Sequence, residues 1–201
     1  ALGAVVLLAL GTLGAAYSPL FAVREITVIG AKTLDPAVVE QALSAQRGVP
    51  LPRVDSSDVK AALVTFPVIE SYTIEARPPH ELVVRLVERT PIGAVASDAG
   101  YTLVDAAGVA LSTTPKAPEG YPLLDVDGGP SSRAFAEAGQ IVRTLPSWLR
   151  EQVTLVTAST ANDVTLTLGG SDTDVVWGNA DSSAEKARAL EAIMAVRPAD
   201  D

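Results

Sequence analysis

The side chains that could support chemistry are few. The chain has one histidine, His80, set between Pro78, Pro79 and Glu81. A catalytic or metal-bound histidine needs a second ligand, a nucleophile or an orienting partner, and no second histidine exists, so a His-pair zinc site is excluded. The spacing predicts a surface turn instead. With no cysteine in the chain, thiol nucleophiles, Cys-based metal sites and disulfides are excluded as well. Acidic residues cluster as Asp125 with Asp127 beside Gly128 and Gly129, and as Asp172 with Asp174. Neither cluster has the bidentate Glu that a calcium loop places further on, so solvated turns are expected. No phosphate-binding loop, dinucleotide fingerprint or nucleophile elbow is present, and Gly169, Gly170 and Ser171 mark a hairpin turn. Trp148 and Trp177 are isolated aromatics expected in the core or at its rim. No catalytic residue, metal site or cofactor site is assigned.

Composition sets wider bounds. The 201 residues are 48% hydrophobic and 19% charged, which suits a chain with a real core. Fifteen Lys and Arg against 24 Asp and Glu give a net charge of −9, the wrong sign for a nucleic-acid partner. Carboxylate pairs for glycoside hydrolysis have no aromatic sugar platform at 4% aromatic content.

The elements that must position any binding surface begin with an apolar run. Ala1 to Ala16 carries no charge, the run continues to Val23, and Arg24 is the first charged residue. A spanning helix needs roughly 20 apolar residues, so a transmembrane helix is predicted over 1–20, with Tyr17 at the interface and preceding residues expected. The apolar region of a signal peptide, cleaved near Gly14, Ala15 and Ala16, is the alternative.

Residues 21–89 form the first predicted domain. Val23 to Ile29 alternates as a strand and Gly30 closes it. Asp35 then caps a helix with Pro36 at its first position, and Asp55 caps a second, in which Val59, Leu63 and Phe66 share a face until Pro67. Two β-rich runs follow, Val68 to Glu75 and Glu81 to Glu88, with Leu82, Val84 and Leu86 on one face. The order β-α-α-β-β predicts two helices over one face of a three-stranded sheet.

Residues 90–197 are the second predicted domain, a mixed β-domain of short hairpins with two helices. Its strands are expected at Tyr101 to Val104, Val109 to Leu111, Leu123 to Val126, Val153 to Val156, Val164 to Leu168 and Thr173 to Trp177. Ser131 is the expected cap of the first helix, whose face is Phe135, Ala138, Val142 and Leu145. The second is expected to open on a capping box of Ser182 with Glu185 and to bury Ala187, Leu190, Ile193 and Met194. Residues 198–201 follow as a short end. The fold class is α+β.

These residues carry a resemblance. FAVREITVIGA, VDSSDV, FPVIESYTI and PHELVVRLVERTPIGAV resemble the polypeptide-transport-associated (POTRA) domain of the bacterial FtsQ/DivIB cell-division family. The segment Val87, Glu88, Arg89, Thr90, Pro91 to Ala94 is the most specific part. Arg77 stands where the family often has Trp. YTLVDAAGVAL resembles the hairpin that follows that domain, and LTLGGSDTDVVWG with Glu185, Lys186 and Leu190 resembles the family's β-domain. The many Ala, Val, Asp and Arg with few Lys suit an actinobacterial member.

The resemblance implies a non-enzymatic, single-pass plasma-membrane protein of the division septum, with a cytoplasmic N-terminus and an extracytoplasmic C-terminal region. It also implies FtsB and FtsL as partners and the FtsW and FtsI synthase pair as further contacts. The family usually continues past the last helix with one more strand, to which FtsB adds, so a missing C-terminal end is expected. Within the first domain, Glu70, Ser71, Tyr72, Thr73 and Ile74 are the candidate partner-binding residues. A POTRA-type component of protein translocation or outer-membrane assembly is the alternative, opposed by the lack of successive strands of about ten residues. An extracytoplasmic cell-wall enzyme is a further alternative, opposed by the missing catalytic constellations.

Overall fold

The computed structural model describes Gly3, residues 17–169 and residues 173–196. Most of the span expected over 1–20, the Gly170 to Asp172 part of the hairpin turn and the 197–201 end lie outside the described residues. Among the described residues no helix is long and apolar enough to cross a membrane. Pro19–Phe21 forms a 3-10 turn, where the Ser18 hydroxyl accepts the Leu20 N–H. The chain divides into two compact units, Ala1–Arg89 and Thr90–Asp201.

The first unit runs β1 (Glu25–Ile29), α1 (Pro36–Ala42), α2 (Ser56–Leu63), β2 (Ile69–Arg77) and β3 (Glu81–Glu88). Both helices start on an aspartate outside the helix. Asp35 accepts the Ala37 N–H at 2.9 Å and Asp55 accepts the Ser57 N–H at 2.8 Å, each meeting an N–H that the helix itself leaves unsatisfied. The sheet has the order β1-β3-β2, with β1 parallel and β2 antiparallel to β3. Ile26, Leu82, Val84 and Leu86 meet Val39, Leu43, Val59 and Leu63 from the helices, all at 4% exposure or less. Each such side chain stabilises the unit by about 1.5–3 kcal/mol. Two 3-10 turns, Ser44–Gln46 and Leu51–Arg53, link the helices. The Val23 N–H donates to Val49 O at 2.9 Å and the Gly48 N–H to Val23 O at 2.8 Å, which ties this link to the segment before β1.

The second unit gathers its hairpins into a single mixed sheet. Its strands are β4 (Pro91–Ser97), β5 (Gly100–Asp105), β6 (Ala110–Thr114), β7 (Leu123–Val126), β8 (Val153–Ala158), β9 (Val164–Leu168) and β10 (Thr173–Gly178). Their order is β10-β9-β8-β7-β4-β5-β6. β7 is parallel to both neighbours, so Leu123 to Val126 opens a crossover and is not half of a hairpin. That crossover carries α3 (Arg133–Thr144) and the short α4 (Ser147–Arg150), and α5 (Ser183–Val196) follows β10. Among the described residues there are thus three helices where two were expected, and β4 was not anticipated as a strand. Phe135, Ile141, Val142 and Leu149 fill the core against Val156, Val164, Leu166 and Leu168.

Three local expectations are corrected. Ser132, not Ser131, caps α3, its hydroxyl accepting the Phe135 N–H at 3.0 Å. The capping box at Ser182 does not form: at φ 53° that residue lies outside the extended geometry of an N-cap. Its carbonyl, rather than its hydroxyl, takes the Glu185 N–H at 2.9 Å. Ile193 is 62% exposed and stands off the buried stripe, whereas Ala187 is buried and Leu190 and Met194 pack against the core.

Candidate partner-binding surface

Strand register sorts the first unit's sheet into two faces, because residues two apart share a side. Cross-strand partners place Val28, Val84 and Ile74 in one row on the helix side, with Leu86 and Tyr72 next to it. On the outer side the rows are Glu25, Glu81 and Arg77; then Thr27, Val83 and Glu75; then Ile29, Arg85 and Thr73; and last Val87 with Ser71.

This grid separates the five candidate residues. Ser71 and Thr73 are exposed on the outer face, while Tyr72 and Ile74 are half-buried and pack against the core. Glu70 is exposed where the pairing of β2 with β3 shifts register between Ile69 and Ser71, and such a bulge re-aims a side chain. Because β3 occupies the centre, β2, like β1, is bonded to a strand on one side only among the described residues. Its other edge offers backbone N–H and C=O groups to an added strand.

A charged network lies at the far end of the same face. Arg77 Nε donates to Glu75 at 2.8 Å, Arg85 reaches Glu75 at 3.3 Å, and Arg77 stands 3.9 Å from Glu81. Thr27 donates to Glu81 at 2.8 Å. The hydrogen bond from Arg77 holds the Glu75 carboxyl below its ordinary range and raises the Arg77 guanidinium. Arg77 is therefore part of an ion-pair cluster. Sequence reasoning missed the apolar share of this face: Val87 is 53% exposed and Ile29 38%. The signal was present in the alternation Glu81, Val83, Arg85, Val87, whose second members are apolar.

His80 is held more firmly than a bare surface turn. Its Nδ1 lies 3.2 Å from Ala22 O, and a carbonyl only accepts, so Nδ1 is the donor. The His80 carbonyl takes the Arg24 N–H at 2.9 Å, latching the entry of β1 to the turn before β3.

The motif residues also hold backbone. Glu88 accepts from the N–H groups of Lys32 at 2.7 Å, Thr33 at 3.0 Å and Leu34 at 3.1 Å, and from the Thr33 hydroxyl. Burial pushes this carboxyl up, but the Thr33 hydroxyl and the three N–H groups outweigh it and lower it from 4.5 to about 2. Arg89 Nε donates to Pro67 O at 3.1 Å.

In the second unit Asp105, 7% exposed, accepts from the N–H groups of Ala107 at 3.0 Å and Val109 at 2.8 Å. Lys186 Nζ donates to Trp177 O at 3.1 Å, Asn179 O at 2.9 Å and Asn179 Oδ1 at 3.3 Å, which fixes the start of α5 to the end of β10. Trp177 is buried and its indole N–H donates to Ser183 Oγ at 3.1 Å; Trp148 packs at the core's rim. Asp125 and Asp127 are exposed, and Asp174 accepts the Thr167 hydroxyl at 2.7 Å.

The β-α-α-β-β unit is a POTRA-type domain: residues 21–89 match the family described as POTRA domain, FtsQ-type. The rest of the chain is covered by whole-protein relatives. It is 32% identical over 209 residues to the cell division protein FtsQ of Streptomyces coelicolor, covering 97% of this chain and 79% of that protein. It is also 32% identical over 195 residues to the FtsQ of Mycobacteroides abscessus, covering 94% of this chain and 62% of that protein. A solved structure, the major extracytoplasmic domain of the trans isomer of DivIB from Geobacillus stearothermophilus, is similar over 55% of this chain and 94% of that one. Its identity is 19% and its TM-score 0.43. The chain belongs to the FtsQ/DivIB family of bacterial cell division proteins, and its role is in cell division.

Proposed function

We propose that the chain is a bitopic scaffold of the divisome, acting by protein–protein binding and without catalysis of its own. In this reading the apolar run over 1–20 crosses the plasma membrane with the N-terminus cytoplasmic. The 21–89 and 90–197 domains then stand outside the membrane at the division septum. The scaffold links early and late division proteins and supports septal cell-wall synthesis, with FtsB and FtsL as partners and FtsW and FtsI as further contacts.

The observation that carries the reading is the open edge of β2, with Ser71 and Thr73 on the outer face beside it and Glu70 at its bulge. A partner segment added there gains main-chain hydrogen bonds for affinity, and alternate side chains set its register. The test is biolayer interferometry of the full chain against its cognate FtsB–FtsL ectodomains and against the FtsW–FtsI complex. Replacing Ser71 and Thr73 together by lysine protects the edge, as charged edge residues do in natural sheets. The double variant is expected to weaken the FtsW–FtsI contact at least tenfold, to keep FtsB–FtsL binding and to retain its melting temperature. A wild-type chain that binds neither pair refutes the scaffold; a double variant that binds FtsW–FtsI normally refutes the role of Glu70 to Ile74.

A further inference from the structure

The helical layer of the first unit contains a groove of 320 Å³ between the end of α1, the two 3-10 turns and the middle of α2. That volume is at the lower end of ligand pockets, which run from roughly 300 to 1,000 Å³. Gln46 lines it and is only 5% exposed, yet its side-chain amide makes no hydrogen bond within the chain. Among the described residues, no fully buried side-chain nitrogen or oxygen lacks a partner. The Gln46 amide therefore still reaches solvent, along the groove it lines. Ala42, Ala45, Ala61 and Ala62 make up much of the remaining wall, and at the rim Arg53 and Asp58 are in no ion pair.

These features narrow the occupant. A primary amide presents one acceptor and one donor group side by side. An anion meets the N–H and leaves the carbonyl facing negative charge, a cation does the reverse, and an apolar side chain leaves both unmet at a cost of about 1–3 kcal/mol. The N–H and C=O of one residue in an extended chain point the same way and satisfy both. Alanine walls let a main chain approach closely, since no longer side chain stands between, and rim charges of opposite sign select against a ligand of uniform charge.

We propose that this groove binds a short extended peptide segment of a partner protein, with the N–H and C=O of one of its residues paired to the Gln46 amide. The site is separate from the β2 edge, because Ser71 and Thr73 lie on the sheet face turned away from the helices. It does not depend on the scaffold reading.

The experiment pans a display library of random 12-residue peptides on the full chain. Affinities of the enriched peptides are then measured by fluorescence anisotropy for the wild type, Gln46→Leu and Ala61→Trp. Ala61 is exposed, so Ala61→Trp fills the groove without entering the core. Both variants are expected to weaken binding at least tenfold. Gln46→Leu is expected to keep its melting temperature, because its amide has no partner within the chain to lose. The Gln46 side-chain amide resonance should shift on peptide saturation. Failure to enrich any peptide, equal binding by all three proteins, or a Gln46 resonance that moves only with N-acetylglucosamine oligomers or inorganic phosphate overturns the proposal.

Discussion

Replacing Glu88 by glutamine tests why the motif around it is built as it is. The carboxylate accepts from three successive backbone N–H groups, those of Lys32, Thr33 and Leu34, and from the Thr33 hydroxyl. Its pKa falls from 4.5 to about 2 on folding, against the opposing effect of burial. At about 1.36 kcal/mol per pH unit, the full fall corresponds to at most about 3.4 kcal/mol. Glu88 is only half-buried, and solvent screening brings the expected contribution to about 1–2 kcal/mol. Because the folded value lies below the unfolded one, this stability is complete above about pH 5 and is lost as pH falls from 4.5 towards 2. Urea unfolding of the wild type and Glu88→Gln, taken from pH 7 down to pH 2.5, reads the difference directly. The carboxyls of Asp55, Glu75 and Asp163 are also lowered by their hydrogen bonds, but they are common to both proteins and cancel. The wild type should exceed the variant by about 1–2 kcal/mol at pH 7, with most of the gap closed at pH 2.5. A gap of the same size at both ends, or none at pH 7, refutes the reasoning.

Two further substitutions probe the second unit. Gly108→Ala puts a Cβ 2.3 Å from Pro130 O at a residue with φ +76°, so strain and clash together should lower the unfolding free energy by about 2–4 kcal/mol; a loss below about 0.5 kcal/mol contradicts this. Lys186→Met keeps the apolar stem but removes the donor from Trp177 O and Asn179 O. It should lower stability by about 1–3 kcal/mol, visible as a lower melting temperature, and an unchanged melting temperature means that water replaces the ammonium without loss.

Local signals made the first unit readable. Asp35 and Asp55 each stand before an apolar helical stripe, and each accepts an N–H from the first turn of its helix. The alternation of Leu82, Val84 and Leu86 gave the buried face of β3 correctly. The second unit was harder because one of its interior strands lacks a local signature. β4 begins on a proline and runs through Gly93, Ala94 and Ala96, with few β-branched residues. It is a strand because its partners make it one: a Cβ at Gly93 would lie 2.7 Å from Leu124 Cγ and Pro122 O, so the glycine gives β7 room to approach. Ser182 misled for a similar reason. The sequence pattern of a capping box was present, but the turn out of β10 puts that serine at positive φ and brings the Ser183 hydroxyl to Trp177 instead. Within the candidate surface, the strand over Ile69 to Glu75 was visible, but its place at the edge was not. That place depends on β1 pairing with β3 across more than fifty residues, which no local periodicity records.

The residues that make the family recognisable and those proposed to bind partners thus divide by physical role. Glu88, Asp105 and Lys186 each direct charge or hydrogen bonds at backbone groups that the secondary structure leaves unmet, and such groups are expensive to bury unpaired. They are distinctive because few side chains can do this at a fixed place. Ser71, Thr73 and Gln46 are locally unremarkable, and the roles proposed for them rest on a sheet edge and a groove that only the assembled fold creates. A loss of partner binding in Glu88→Gln should therefore scale with lost stability and recover under stabilising conditions. A loss in the Ser71 and Thr73 double variant, or in Gln46→Leu, should persist at full folded population, so plotting affinity against unfolding free energy for all three separates support of the fold from contact with a partner.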